Sequence, residues 1–175
     1  MKKLSLLVLI GFLCINSFAQ KIPYMTKIDK QELKYMDKNA LSLMDWSEYM
    51  FYIKDHYGET SEQYIATIPN IEKFNSHYKG KYSIVKIKDS YNFAPEKGYS
   101  GKRGKYPIIG LTTKQMEDYC KWRTEIITYK VAKKHKIIFT IPREEDYQKA
   151  TNYKSIKGVK EGKDIGYRCI AKIVQ

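Results

Sequence analysis

Two amphipathic segments constrain the fold of this chain most strongly, because both place side chains at helical spacing. In the first, Ser42 and Asp45 have the spacing of a capping box, and Gly58 is a natural stop. In the second, Thr112 and Gln115 give the same kind of start signal. The side chains that recur at steps of three and four are Leu43, Trp46, Met50, Ile53 and Tyr57 in the first segment, and Met116, Tyr119, Cys120, Arg123, Ile126, Ile127 and Val131 in the second. We therefore predict two long helices.

Shorter segments have the patterns of strands and of one further helix. Residues 165–174 alternate along the chain, which places Cys169 on one definite face of a strand. The acidic residues after Pro142 favour a helix start, because they complement its positive end. The predicted strands are 81–88, 106–109, 137–141 and 165–174, the short helix is 144–150, and 59–81 and 89–105 are predicted loops. Together these elements predict an α+β fold with two main helices on a small, mostly antiparallel sheet.

The first residues have the layout of a secretory signal peptide. Lys2 and Lys3 precede an apolar run over residues 4–15, and small residues at Ser17 and Ala19 suit cleavage after residue 19. The run is shorter than the roughly 20 residues of a membrane-spanning helix. An uncleaved membrane anchor is one alternative. A lipoprotein acylated at Cys14 is the other, but lipoprotein processing requires a small residue before the cysteine, and Leu13 stands there. The sequence thus predicts a chain exported by a Gram-negative bacterium to the periplasm, the outer membrane or the medium, with no transmembrane span after cleavage.

The basic composition leaves two interpretations open. The formal net charge is +13, and removal of Lys2 and Lys3 with the signal peptide lowers it by two. Such a charge attracts polyanions, including anionic lipids, acidic glycans and nucleic acid. The lysines are scattered singly along the chain, which favours a generally basic surface without a dedicated ligand. No nucleic-acid-binding motif is present, so we predict no specific nucleic-acid partner.

Other residue types that carry chemistry give weak signals. His56, His77 and His135 are far apart and lack metal-ligand spacing, so neither a metal nor another cofactor is predicted. The glycines within residues 98–104 lie among basic residues but do not match a phosphate-binding loop. The carboxylates at Asp118, Glu125, Glu144, Glu145 and Asp146 are interpreted as solvated charges on helix surfaces.

Four pieces of the chain, in order, resemble the sulfatase-modifying-factor family, which includes the formylglycine-generating enzymes. The family has a Pro before a helix with a Tyr-Cys-x-Trp core, a later Pro-Thr-Glu segment, and a closing Gly-Phe-Arg-Cys. The matching residues are Trp46 in the first helix, Pro107, then Tyr119, Cys120 and Trp122, then Pro142, Glu144 and Tyr147, and finally Gly166, Tyr167, Arg168 and Cys169. The resemblance covers most of residues 39–175. Residues 20–38, before it, are polar and predicted to be loosely ordered.

The resemblance implies a C-type-lectin-like fold in a reduced form. It also implies a structural disulfide between Cys120 and Cys169, which agrees with an even cysteine pair in an exported chain. The departures bear on activity. Where the family carries its calcium ligands and reactive cysteine pair, this chain has only residues 151–164, and Thr140 and Arg143 replace the family's Arg and Thr.

These observations favour a non-enzymatic envelope protein that acts as a structural or protein-binding module, with another envelope protein as its partner. The alternative is a lectin-like binder of acidic glycans or other polyanions, in which exposed tyrosines stack on sugars. The sixteen tyrosines also suit a core or its rim, so their number alone does not decide between these functions.

Overall fold

The computed structural model describes residues 22–131, 136–158 and 166–174, and the predicted signal peptide lies outside them. The described chain contains six strands, five α-helices and one short 3₁₀ turn. In chain order these are β1 (Met25–Asp29), β2 (Lys34–Asp37), α1 (Leu43–Tyr57), α2 (Glu62–Ile65), α3 (Ile71–His77), β3 (Tyr82–Ile87), β4 (Ser90–Pro95), the 3₁₀ turn (Arg103–Lys105), α4 (Thr113–Val131), β5 (Lys136–Thr140), α5 (Glu144–Ala150) and β6 (Ile170–Val174). The fold class is α+β, as predicted.

Two small antiparallel sheets organise the strands. The larger has four strands in the order β1-β2-β6-β5, so the last strand of the chain lies between β2 and β5. The smaller is the hairpin β3-β4. Helix α4 packs against β5, and the backbone N–H of Phe139 in β5 donates a hydrogen bond to the Thr124 hydroxyl of α4 at 2.9 Å. The predicted strand 165–174 is longer than the observed one, because pairing with β2 and β5 begins only at Ile170.

The two main helices begin where the capping signals predicted. The Asp45 N–H bonds the Ser42 hydroxyl at 3.2 Å, and the Ser42 N–H bonds the Asp45 carboxylate at 2.7 Å. At α4, Thr112 and Gln115 make the equivalent reciprocal pair at 2.8 and 3.2 Å. Each pair satisfies backbone donors that the helix leaves free. The buried face of α1 consists of Leu43, Trp46, Tyr49 and Met50, whereas Tyr57 is 57% exposed and does not belong to it.

The prediction that residues 20–38 are loosely ordered is wrong for 25–29 and 34–37. These residues form β1 and β2, which pair with each other, and β2 pairs with β6 at the far end of the chain. Their buried side chains include Met25, Ile28, Tyr35 and Met36. The local sequence is polar, so the segment gives no strand signal by itself. Its order comes from a non-local partner.

The predicted loops also contain regular structure. Within 59–81, α2 is capped by Ser61 and α3 by Asn70, whose side-chain oxygen accepts from the Lys73 N–H at 2.8 Å. Within 89–105, β4 pairs with β3 through a tight turn in which Lys88 has φ +56°. Conversely, the predicted strand 106–109 makes only an isolated bridge between Pro107 and Ser42. Helices of four and seven residues are too short for a clear apolar period.

One of the acidic residues interpreted as solvated is buried. Asp146 is 3% exposed, and its carboxylate accepts from the Arg143 backbone N–H at 2.9 Å. Lys34 of β2 lies 3.4 Å from the same carboxylate. Asp146 therefore both caps α5 and ties this helix to the sheet, whereas Glu144 and Glu145 are exposed.

A second ion pair joins α5 to the sheet and gives an expected pH dependence. The Asp29 carboxylate accepts from the backbone N–H groups of Glu32 and Gln31 and lies 2.6 Å from the Lys149 ammonium. The Glu32 N–H bond, followed by the Lys149 bond, lowers the pKa of Asp29 to about 2. Because the unfolded pKa is about 3.9, this stabilisation is present above pH 4 and is lost as pH falls towards 2.

We expect Asp29→Asn to reduce this acid sensitivity. The amide oxygen can still accept from the turn N–H groups, but the variant has no carboxylate to protonate. Melting temperatures measured from pH 5 to pH 2 should fall more steeply for the wild type than for the variant. Parallel curves would show that this pair does not contribute to the acid response.

Candidate functional site

Four aromatic side chains join the two main helices. Trp46 is fully buried, stacks on Tyr119 with ring centroids 5.4 Å apart, and contacts Tyr49 edge-on at 5.1 Å. Trp122 closes the cluster, with its centroid 5.2 Å from Tyr49 and 5.3 Å from Tyr119. Burial raises the pKa of both tyrosine hydroxyls, which therefore stay protonated at neutral pH. The structure thus brings three of the motif residues, Trp46, Tyr119 and Trp122, into one structural cluster.

The two cysteines are neighbours inside the protein. The Sγ atoms of Cys120 and Cys169 are 3.2 Å apart, against about 2.05 Å in a disulfide, so both are free thiols here. The disulfide that the resemblance implies is therefore not formed in this structure, although its two cysteines are in contact. Burial raises the pKa of the Cys169 thiol, and the adjacent Cys120 and Asp37 raise it further. A protonated, buried thiol is a poor nucleophile.

A buried ion pair lies next to the cysteines. The Asp37 carboxylate accepts two hydrogen bonds from the Arg123 guanidinium, at 2.8 and 2.9 Å, and a third from the backbone N–H of Cys169 at 2.8 Å. Asp37 is only 5% exposed. Burial alone would lower the pKa of Arg123, but the Asp37 carboxylate raises it above its usual value. This pair connects the end of β2, helix α4 and the start of β6.

The closing motif is also structural. The Arg168 guanidinium is buried and donates to the carbonyl oxygens of Asp37 at 3.1 Å and Lys157 at 2.5 Å. The Tyr167 hydroxyl donates to the Leu111 carbonyl at 2.6 Å. Gly166 has φ +131°, and a Cβ there would lie 3.0 Å from the Cβ atoms of both Ala40 and Pro107. The motif therefore fixes the segment before α1 and the segment before α4.

The remaining motif residues lie elsewhere. Tyr147 packs against a second, smaller core formed by Ile28, Met36, Ala150, Ile156 and Ile170. Glu144 is exposed in the first turn of α5, and Pro142 is half-buried just before it. The structure thus separates Pro142, Glu144 and Tyr147 from the aromatic cluster between α1 and α4.

A large cleft of about 510 Å³ lies beside the aromatic cluster. Its apolar side chains include Tyr24 and Met44, which are 83% and 42% exposed. Asp45 and Glu48 place carboxylates on the same lining. The cleft therefore combines exposed apolar surface with negative charge, in a chain whose net charge is strongly positive.

A basic cleft of about 530 Å³, which is similar in size, adjoins the large cleft. Lys105, Lys157 and Arg168 line it, and the described residues of its lining include no carboxylate. The two clefts share Asn39, Ala40, Ser42 and Gly104. The two clefts are therefore adjacent, and we refer to them together as the groove, which is apolar and acidic at one end and basic at the other.

A separate small cleft of about 380 Å³ lies at the other end of α1. Trp122 lines both this cleft and the large one, so the indole is part of the wall of each. Its Nε1 is buried and has no hydrogen-bond partner among the described residues. The small cleft is otherwise lined by Tyr49, Tyr52, Ile53, Tyr57, Gln63, Ala66, Thr67, Lys114, Gln115, Asp118, Lys121 and Glu125.

Comparisons with family models, curated proteins and solved structures give no match for this chain. The resemblance to the sulfatase-modifying-factor family therefore stays a prediction. Within the described residues, no group of three or more His, Cys, Asp or Glu side chains is placed to hold a metal ion. No helix in the same part of the chain is both long and apolar enough to cross a membrane.

Several residues that line the groove have no signal in the sequence. Tyr24, Met44 and Glu48 carry no motif, and only the folded arrangement brings them together. Asp37 was also missed, although a signal existed. Arg123 occurs in the apolar stripe of the second helix, and a buried guanidinium requires an acidic or carbonyl partner.

Proposed function

We propose that this protein is a non-enzymatic, exported envelope module that binds a segment of another protein along the groove. One observation carries the proposal: an apolar, acidic cleft and a basic cleft are joined through four shared residues. Such a groove is complementary to an extended chain that presents apolar and basic side chains at one end and acidic ones at the other. The predicted export makes an envelope protein the expected partner.

The environment of the motif residues supports a binding role rather than a catalytic one. Both described cysteines are buried, and the pKa of the Cys169 thiol is raised, which disfavours thiolate chemistry. The Trp46 indole N–H and the Arg168 guanidinium donate hydrogen bonds to backbone carbonyl oxygens, and the Tyr119 ring stacks on Trp46. The family resemblance and its reduced C-type-lectin-like fold are part of this proposal, and the α+β class with small antiparallel sheets agrees with them.

A crosslinking pull-down from the cell envelope tests the proposal. We expect the tagged full-length chain to recover a protein partner that is retained at high salt, because apolar contacts in the large cleft are not screened. The double variant Met44→Asp with Glu48→Lys should reduce recovery about tenfold, since it removes apolar surface and reverses a charge on one lining. Quantitative mass spectrometry of the recovered proteins provides the measurement.

The control variant is Ile87→Asp, which changes a side chain that is 59% exposed at the end of β3, outside the lining of the groove. It should recover the same partner as the wild type. Equal losses in both variants, or recovery of no protein by the wild type, would contradict the proposal.

The basic cleft favours a second candidate function, the binding of an acidic glycan. Lys105 and Lys157 are exposed and would contact carboxylate or sulfate groups. The same pull-down separates the two functions, because recovery of polysaccharide that is lost at high salt would favour this candidate. Substitution of Lys105 and Lys157 with glutamate should then abolish the recovery, whereas Met44→Asp should not.

A further inference from the structure

The small cleft has the composition of a site for a polyhydroxylated ligand. Tyr57 is 57% exposed, and Tyr52 and Trp122 are half-buried, so aromatic surface is open to the cleft from both main helices. The C–H faces of a pyranose ring are apolar and pack favourably on the negative face of an aromatic ring. The ring of Tyr52 is stacked on His56, so Tyr57 and the exposed part of Trp122 provide the surface on which a sugar ring can stack.

The polar groups of the small cleft offer donors and acceptors in balance. Lys114 and Lys121 bring two ammonium groups, Asp118 and Glu125 bring two carboxylates, and Gln63 adds an amide. Lys114 and Asp118 are ion-paired with each other across one turn of α4. The lining is thus close to electroneutral, which distinguishes it from the basic cleft and favours an uncharged ligand rich in hydroxyl groups.

The base of the small cleft is held in place by the fold. The Gln115 amide donates to the carbonyl oxygens of Ala66 at 2.9 Å and Ile68 at 2.8 Å, which fixes α4 against the segment after α2. Burial, and then Asp118 and Tyr57, raise the pKa of the Tyr49 hydroxyl. A preformed site of this kind loses little conformational freedom when it binds a ligand.

We propose that the small cleft binds a neutral sugar residue of a glycan, with Tyr57 and Trp122 as the stacking surfaces and Asp118 as a hydrogen-bond acceptor. This site shares only Trp122 with the lining of the groove, and the variants that test the two proposals change residues that line one and not the other. The sugar is bound by hydroxyl recognition and aromatic stacking, and it requires neither a metal ion nor the cysteines.

A glycan array followed by titration calorimetry tests this site. We expect the full-length chain to bind one or more neutral glycans, with little dependence on salt between 50 mM and 500 mM, because no net charge is involved. Tyr57→Ala should weaken binding about tenfold, and Asp118→Asn should weaken it by a similar factor. The matched control is Phe51→Ala, which removes another exposed aromatic side chain of α1 outside the linings of the groove and the small cleft and should leave the affinity unchanged.

Two results would overturn the inference. The first is no binding to any neutral glycan on the array, and the second is binding that Tyr57→Ala and Asp118→Asn leave unchanged. Tyr57 and Asp118 are both at the surface, and circular dichroism of each variant establishes that it remains folded. Binding only to acidic glycans, abolished by high salt, would assign the sugar to the basic cleft instead.

Discussion

Asp37→Asn should lower the free energy of unfolding by about 3–5 kcal/mol, because it leaves the Arg123 guanidinium, whose side chain is only 17% exposed, without its counter-charge. Asparagine has nearly the size of aspartate and retains one oxygen that can accept from the Cys169 N–H. The loss therefore reports the missing charge rather than a cavity. For a chain of this length it corresponds to a fall in melting temperature of about 6–20 °C.

The double variant Asp37→Asn with Arg123→Met separates this explanation from general disruption. If the cost of Asp37→Asn comes from an unpaired cation, removal of that cation should restore at least half of the lost stability. Urea unfolding monitored by circular dichroism gives the four free energies of the cycle. A loss below about 1 kcal/mol for Asp37→Asn, or a double variant less stable than either single one, would contradict the assigned role.

Trp46→Ala should be comparably destabilising, with an expected cost of about 3–5 kcal/mol. The indole is fully buried between Tyr49 and Tyr119, and its Nε1 donates to the Thr67 carbonyl at 3.0 Å. The substitution leaves a cavity between α1 and α4 and a buried carbonyl without a donor. Both effects act at the contact that positions the groove and the small cleft.

Trp122 provides the comparison within the same aromatic cluster, where Trp46 is fully buried and Trp122 is half-buried. Trp46 has a hydrogen-bond acceptor, whereas Trp122 has none among the described residues. Trp46→Phe should therefore cost about 1–3 kcal/mol more than Trp122→Phe, because only the first leaves a polar partner unsatisfied. Equal costs in urea unfolding, or a larger cost at Trp122, would show that the Thr67 bond does not stabilise the fold.

The parts of the fold that could be predicted from sequence are those with local signals. The reciprocal caps at Ser42 and Thr112 and the apolar periodicity after them defined α1 and α4. The strands β1 and β2 gave no such signal. Their order depends on partners elsewhere in the chain, as in the pairing of Met36 with Ile170. Residues of this kind become buried only after the ends of the chain meet.

The candidate sites divide in the same way. The family resemblance identified Trp122, and the even number of cysteines in a chain predicted to be exported drew attention to the cysteine pair. The groove depends on Met44, Glu48 and Lys157, which are ordinary surface residues in the sequence. Their significance comes from the way that α1, the 3₁₀ turn and the segment after α5 converge, and local patterns contain no information about that convergence.

Site-specific photocrosslinking at Met44 tests the binding role of the groove most directly. A photoreactive phenylalanine analogue replaces Met44 in the full-length chain, which is expressed in its own cells. On illumination the analogue crosslinks to whatever occupies the large cleft. The same analogue at Ile87 is the control. The proposed function predicts a discrete protein adduct from position 44 that is absent at position 87 and is abolished by Glu48→Lys. No adduct at position 44, or the same adducts at both positions, would contradict it.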